Sequence, residues 1–394
     1  MDRIENINMQ SYEARKRRAR RLMITVALLV GAAAAVLGVL YLYGRENRVY
    51  NSYETVTSRN KTSGSEEYTR YGNGVLRVNR DGAEALDGDG AMLWNVSYTM
   101  TDPIYAVCED AAAVADRAGR SLYIMDGTGS SNPVNTTHQI YEIDVANQGV
   151  TAALMVDGVN TYINLYSISG TNLLEINTNA GDDGFPVDLA LSNDGTKLVT
   201  SYVMMRDGEM TTQITCYNFG EVGQNYTDNI VALYYYERQF CPKVEFLTNT
   251  VFCVFLDNGV EVYRMQETPG DPIFTKAFEQ EIQSIFYNES YIGFVLSNEE
   301  GSDRYRMEVY DLSGNMVLIE TMNDNYKDIM VSDDEVIYYD DLNVVITKLN
   351  GIEKFRYKFS TNIDFFLPGG NSQRYLMATD SEIITIKLTQ KKEE

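Results

Sequence analysis

A single imidazole, that of His138 in Asn135-Thr136-Thr137-His138-Gln139, bounds the chemistry open to this chain. A multi-histidine metal or haem site has no ligand set here. A serine triad would need His138 itself, and no Gly-x-Ser-x-Gly sequence accompanies it. His138 therefore reads as a loop or strand-edge residue. Carboxylates are the abundant reactive type, with 56 Asp and Glu in 394 residues. Their visible clusters are Asp182-Asp183, Asp333-Asp334-Glu335 and Asp340-Asp341. Two carboxylates held across a cleft would suit glycoside hydrolysis. Each cluster, however, lies at a strand end or turn, where Asp is favoured for local reasons. Asp87-Gly88-Asp89-Gly90 and Asn323-Asp324-Asn325 offer oxygen ligands, but neither matches the twelve-residue calcium loop with its closing glutamate. Phosphate-cradling glycine motifs are absent. No catalytic residue, metal or cofactor is expected.

Four cysteines, Cys108, Cys216, Cys241 and Cys253, contain no Cys-x-x-Cys pair. That excludes a zinc knuckle and a thioredoxin-type centre. Cys253 in Val251-Phe252-Cys253-Val254-Phe255 and Cys108 in Ala106-Val107-Cys108 read as buried free thiols, and Cys241 with Cys253 is the one pair suited to a bridge. Tyrosine is frequent, 29 residues against one Trp, and Tyr234, Tyr235 and Tyr236 form the candidate binding patch.

The elements that must position these residues are strands. From Tyr68 onward, short apolar or alternating runs are bounded by Asp-Gly, Asn-Gly or Ser-Gly turns, and long amphipathic helical patterns are missing. The turn glycines Gly90, Gly127, Gly170, Gly220, Gly270, Gly314 and Gly351 recur at separations of 37 to 50 residues. Four short strands per unit at that period indicate a β-propeller. The fold class is all-β: a propeller of eight, alternatively seven, four-stranded blades over residues 68–390, with a pair of β-sandwiches as the runner-up. A unit cannot bury both faces alone, so the ring must close, with Val49–Val56 or Gly74–Asn79 available as the closing strand.

These turn-bounded units, with Trp94 in Gly88-Asp89-Gly90-Ala91-Met92-Leu93-Trp94, resemble the repeats of quinoprotein-like and tryptophan–aspartate-type propellers. The whole layout also resembles an uncharacterised family of single-pass, extracytoplasmic propeller proteins of Gram-positive bacteria. The layout is a basic tail, one helix, a stalk, then Tyr71-Gly72-Asn73-Gly74-Val75-Leu76-Arg77 followed by Asp81-Gly82. The resemblance implies the fold and brings no reaction and no site residue.

Leu22 to Tyr43 is an uncharged apolar run behind the cations Arg15, Lys16, Arg17, Arg18, Arg20 and Arg21. As a helix it would span roughly 33 Å, enough for the hydrocarbon core. Six cations before the run, against Arg45 and Arg48 close behind it, place residues 1–21 in the cytoplasm and the rest outside. The run is too long for a cleaved signal peptide. The expected domains are a basic tail (1–21), a transmembrane helix (22–43), a stalk (44–67) and the propeller. Gly31 with Ala35, and Ala34 with Gly38, give a small-residue spacing suited to homodimerisation.

Residues 1–21 carry seven cations and three carboxylates, net +4, so a chain total of −23 leaves −27 on residues 22–394. That balance disfavours nucleic acid as a partner. The sequence thus predicts a membrane-anchored, extracytoplasmic, non-catalytic binding or scaffold module for a protein or cell-wall polymer. The alternatives are a carboxylate-dependent hydrolase or lyase on an envelope substrate and, lower, a sensor relaying through a partner helix.

Overall fold

The computed structural model describes residues 47–61, 66–181, 184–298, 303–323 and 325–391, together with positions 23, 28, 31–38, 41 and 44. Residues 1–49 and 50–394 are separate compact units. In the first, residues 31–38 are helical and exposed, Gly31, Ala34, Ala35 and Gly38 among them. Among the described residues, no helix is long and apolar enough to cross a membrane. The basic cluster Arg15 to Arg21 and much of the apolar run lie outside the described residues.

The second unit is an eight-bladed β-propeller of four-stranded antiparallel sheets. Blades 1 to 7 are continuous in sequence and span residues 67–97, 103–135, 139–179, 185–237, 243–277, 282–322 and 328–358. Blade 8 takes three strands from the C-terminus, Ile363–Pro368, Arg374–Thr379 and Glu382–Thr389. Its outermost strand is Ser52–Asn60, running from Ser52 opposite Thr389 to Asn60 opposite Glu382. The closing strand therefore overlaps the expected Val49–Val56, and Gly74–Asn79 is instead the second strand of blade 1. The segment 44–67 is thus largely structured. Ser52–Asn60 supplies the edge that Glu382–Thr389 would otherwise leave unpaired.

Side-chain alternation explains why the blades stack. Within Gly74–Asn79, Val75 packs toward blade 8 with Phe365 and Leu376, while its neighbour Leu76 packs toward blade 2 with Val114 and Met125. Each strand thus feeds two interfaces. Among the described residues the buried side chains form eight clusters, one per pair of neighbouring blades, including blade 8 against blade 1. An open stack of eight would have seven such interfaces, so the ring is closed.

Turns linking first to second and third to fourth strands lie on one face, here the upper. Turns linking second to third strands, and the connections between blades, lie on the lower face. The third-to-fourth turns carry the glycine signal: Gly90, Gly170, Gly314 and Gly351 all have positive φ, between 80° and 85°. In blade 2 that role belongs to Gly129 at φ 76°, two residues beyond the expected Gly127. Blade 4 replaces the tight turn with the 3-10 turns Gly223–Asn225 and Thr227–Asn229, and blade 5 with a longer loop, so Gly220 and Gly270 do not play this part.

Candidate functional site

The first strands of successive blades adjoin one another around the central axis. They bring together carboxylates from three successive blades. Asp144 lies in Gln139–Val145 of blade 3, Asp188 in Phe185–Leu191 of blade 4, and Lys243 and Glu245 in Lys243–Thr248 of blade 5. A bulge between Pro186 and Asp188 re-aims the strand just before the carboxylate. Lys243 Nζ sits 3.5 Å from Asp188 Oδ2 and 3.3 Å from Glu245 Oε2. Two carboxylates thus share one ammonium, and Asp144 feels the same charge from blade 3.

Each carboxylate also accepts a hydrogen bond from the next blade. The Leu191 N–H of blade 4 donates to Asp144 Oδ2 at 2.6 Å. The Val244 N–H of blade 5 donates to Asp188 Oδ2 at 2.7 Å. The Tyr287 hydroxyl of blade 6 donates to Glu245 Oε2 at 2.8 Å. Blades 3 to 6 are therefore linked in one direction by a relay of charge-assisted hydrogen bonds, which are stronger than neutral ones.

The electrostatics follow from crowding charge in a poorly solvated place. Burial first, and Glu245 second, push the Asp144 carboxyl up to about 7. Burial raises Asp188 to about 6, against the opposing pull of Lys243 and the Val244 N–H. Burial alone would lower the Lys243 ammonium, but Glu245 and then Asp188 outweigh it and raise it. The Cys108 thiol beside this network is pushed up to about 12, by burial and then by Asp144. It is a neutral thiol at physiological pH and a poor nucleophile.

A second polar site opens on the upper face between blades 7, 8 and 1. A pocket of about 160 Å³ is lined by Arg70, Ser332, Asp333, Glu335, Asn371 and Tyr375, among others. At its base, the buried Lys354 ammonium donates to Glu335, to the Ser372 carbonyl and to the Tyr375 hydroxyl. Tyr375 donates in turn to Glu335 Oε2 at 2.8 Å. At the rim, Arg70 Nη1 donates to Ser332 Oγ at 2.7 Å.

The residues singled out from sequence are mostly dispersed by the fold. Asp333, Asp334 and Glu335 all line the upper-face pocket, each in a different role. Asp333 holds a left-handed turn at φ 51°, Asp334 lies 3.5 Å from Lys348, and Glu335 joins Lys354. Asp340 accepts the N–H groups of Leu342 and Asn343 and forms a turn. Asp182-Asp183 lies outside the described residues. Asp87 Oδ1 accepts the N–H groups of Asp89 and Ala91, again a turn role. His138 stacks on Tyr162 at 4.1 Å between ring centroids, with Nδ1 3.5 Å from Asp157 Oδ2. All four cysteines are free thiols, so Cys241 and Cys253 are not bridged.

Strand alternation divides the three tyrosines. Tyr234 and Tyr236 pack in the cluster between blades 4 and 5, and Tyr236 hydrogen-bonds Glu261 and Tyr263. Tyr235 points to the opposite side, exposed, with the Arg206 guanidinium 4.6 Å over its ring. The channel carboxylates were missed in the sequence reading. Their signal is an acid set between two apolar neighbours in a first strand, as in Ile143-Asp144-Val145 and Val187-Asp188-Leu189.

Residues 46–388 match the model of a family described as a family of unknown function, DUF5711. No curated protein matches the sequence. Among solved structures, BamB from Moraxella catarrhalis is similar at 10% identity and a TM-score of 0.50, over 87% of this chain and 100% of that one. Sqt1 from Saccharomyces cerevisiae gives 12% and 0.54, over 86% and 100%. Apo AztD from Citrobacter koseri gives 8% and 0.51, over 76% and 87%. At such identities the likeness shows the fold alone.

Proposed function

The chain belongs to this family of unknown function, and we propose from that premise that it is a non-catalytic binding or scaffold module, anchored in the cell membrane and displayed outside the cytoplasm. One observation carries the non-catalytic part. Asp144, Asp188 and Glu245, three carboxylates on the inner strands of adjacent blades, are each engaged by a donor from the neighbouring blade. They bind the ring together and are not left free to meet a substrate.

The anchor reading rests on the charge-free run Leu22 to Tyr43 behind six cations. If that run spans the bilayer, residues 44–49 are the whole tether, because Tyr50 is already buried against blades 7 and 8 and bridges Phe355. Six residues reach at most about 22 Å. The tether joins at the upper end of Ser52–Asn60, where Ser52 pairs with Thr389. The partner we take to be a protein or a wall polymer.

The four native thiols are largely buried, so an added one reports topology cleanly. A Glu279→Cys variant, exposed on a lower-face connection, is expected to react with a membrane-impermeant maleimide in intact cells and to stay with the membrane after carbonate extraction. Labelling that requires permeabilised cells, or release of the chain by carbonate, overturns the placement.

A hydrolase or lyase is the second reading. It is favoured by the neighbouring Asp144 and Asp188 carboxyls, raised to about 7 and about 6, which is how an acid–base pair is poised. It predicts that Asp144→Asn abolishes function while leaving the protein folded and in place.

A further inference from the structure

Blade 4 is built differently from the others on its lower face. Its second and third strands, Lys197–Arg206 and Glu209–Asn218, run ten residues each. The first strand stops at Phe185, opposite Val203. The hairpin therefore projects three residues past its inner neighbour, roughly 10 Å at strand rise. It carries three methionines, Met204, Met205 and Met210. Met205 pairs with Met210 near the tip, and Met205 is 71% exposed. Together with Met204, Val203 and Phe185 they line a groove of about 390 Å³ that continues onto Ala180 and Gly181. Tyr141 from blade 3 meets Phe185 edge-on at 6.1 Å, and both rings are exposed. Nothing in the packing of the ring requires this. The blade 4–5 and blade 3–4 cores are complete without the hairpin tip.

The rim carries charge of one dominant sign. Asp207, Glu209 and Glu237 are exposed around the tip. The nearby cations are Arg206 and Arg238. Arg238 lies 3.3 Å from Glu209, and Arg206 is stacked on Tyr235. The chain as a whole stands at −23. Like-charge repulsion therefore opposes a second copy of this chain as the occupant, and attraction favours a basic one. Flexible, polarisable methionines suit the burial of an inserted apolar side chain, and an exposed patch of this kind on a soluble face marks an interaction site.

We propose that the blade 4 hairpin groove is the docking site for a partner protein, and that it takes a segment with an apolar side chain flanked by lysine or arginine. This rests on the binding-module reading and does not depend on the membrane tether. The test places a benzoylphenylalanine photo-crosslinker at Met205 of the full chain in cells. A control places it at Ser313, an exposed upper-face turn. The expected result is a crosslink at Met205 at least fivefold above Ser313. The captured segment, sequenced by mass spectrometry, should belong to another protein and carry a basic flank. Phe185→Ser and Met210→Glu, each in the Met205 crosslinker background and checked for native melting, should each cut the yield at least fivefold. Equal yields at the two positions, capture of this same chain, an acidic captured segment, or yields unmoved by both substitutions would each overturn the proposal. A cytosolic location found by maleimide labelling leaves this result readable, so the two failures are distinguishable.

Discussion

Asp144 shows how one residue can bear on both stability and function. Its carboxyl is raised to about 7 by burial and then by Glu245, well above the ordinary Asp value of 3.8. A folded-state pKa above the unfolded one means that the native protein holds a proton the unfolded chain releases. Asp144 therefore adds stability fully below about pH 3.8, and loses it as pH rises toward 7. Asp188, raised to about 6, adds to the same trend. Asp144→Asn retains an acceptor for the Leu191 N–H and removes the charge. It is expected to raise the melting temperature at pH 8, by on the order of 2 kcal/mol of stability, and to flatten the stability profile between pH 4 and 7. Thermal melts across that range check it, and an unchanged slope would remove Asp144 from the relay. Sequence reading passed over this residue because an acid between apolar neighbours in a strand is conspicuous only when one knows that three such strands meet at an axis. Spacing along the chain does not encode that meeting. By contrast, the isolation of His138 and the absence of cysteine motifs were legible at once, since they depend on residue counts.

At the scale of elements, the turns were the most legible feature, and they show why. A third-to-fourth hairpin turn needs one residue at positive φ, and glycine meets that need without a Cβ penalty. Gly129 adds a second constraint, because a Cβ there would lie 2.5 Å from Trp94. Gly208 at the blade 4 tip has a similar φ of 85° but open space around it. Gly129→Ala should therefore destabilise by about 2 kcal/mol or more and shift the emission of Trp94, the one tryptophan. Gly208→Ala should cost only about 1 kcal/mol. Equal losses in the two would show that the Trp94 contact is irrelevant. Gly127 was mistaken for Gly129 because Asp126-Gly127-Thr128-Gly129 offers two glycines, and only the hydrogen-bonded register distinguishes them. The closing strand Ser52–Asn60 was less legible because it is polar and mostly exposed, residues 54–58 on both of its faces. Its role is nonetheless decisive. A chain beginning at residue 66 should lose cooperative melting and aggregate through the bare edge of Glu382–Thr389, whereas one beginning at residue 47 should melt as a single unit. Equal melting of both would show that blade 8 is self-sufficient.

For the whole molecule, eight interfaces closing on themselves make a rigid ring, and rigidity suits a platform that holds loops in place. Blade number was readable from period and strand count because each unit repeats the same hydrophobic alternation. The irregular blade 4 was not, since its extra residues extend a hairpin without disturbing the period. The account assigns the channel carboxylates to holding blades 3 to 6 together and recognition to the lower face. The most direct test replaces Asp144, Asp188 and Glu245 together with Asn, Asn and Gln in the full chain, in cells whose own copy is deleted. The account predicts a folded protein that restores the deletion phenotype as the unaltered chain does, with a flattened pH profile of stability. A folded triple variant that behaves like the deletion would show that the channel carries out chemistry, and would contradict it.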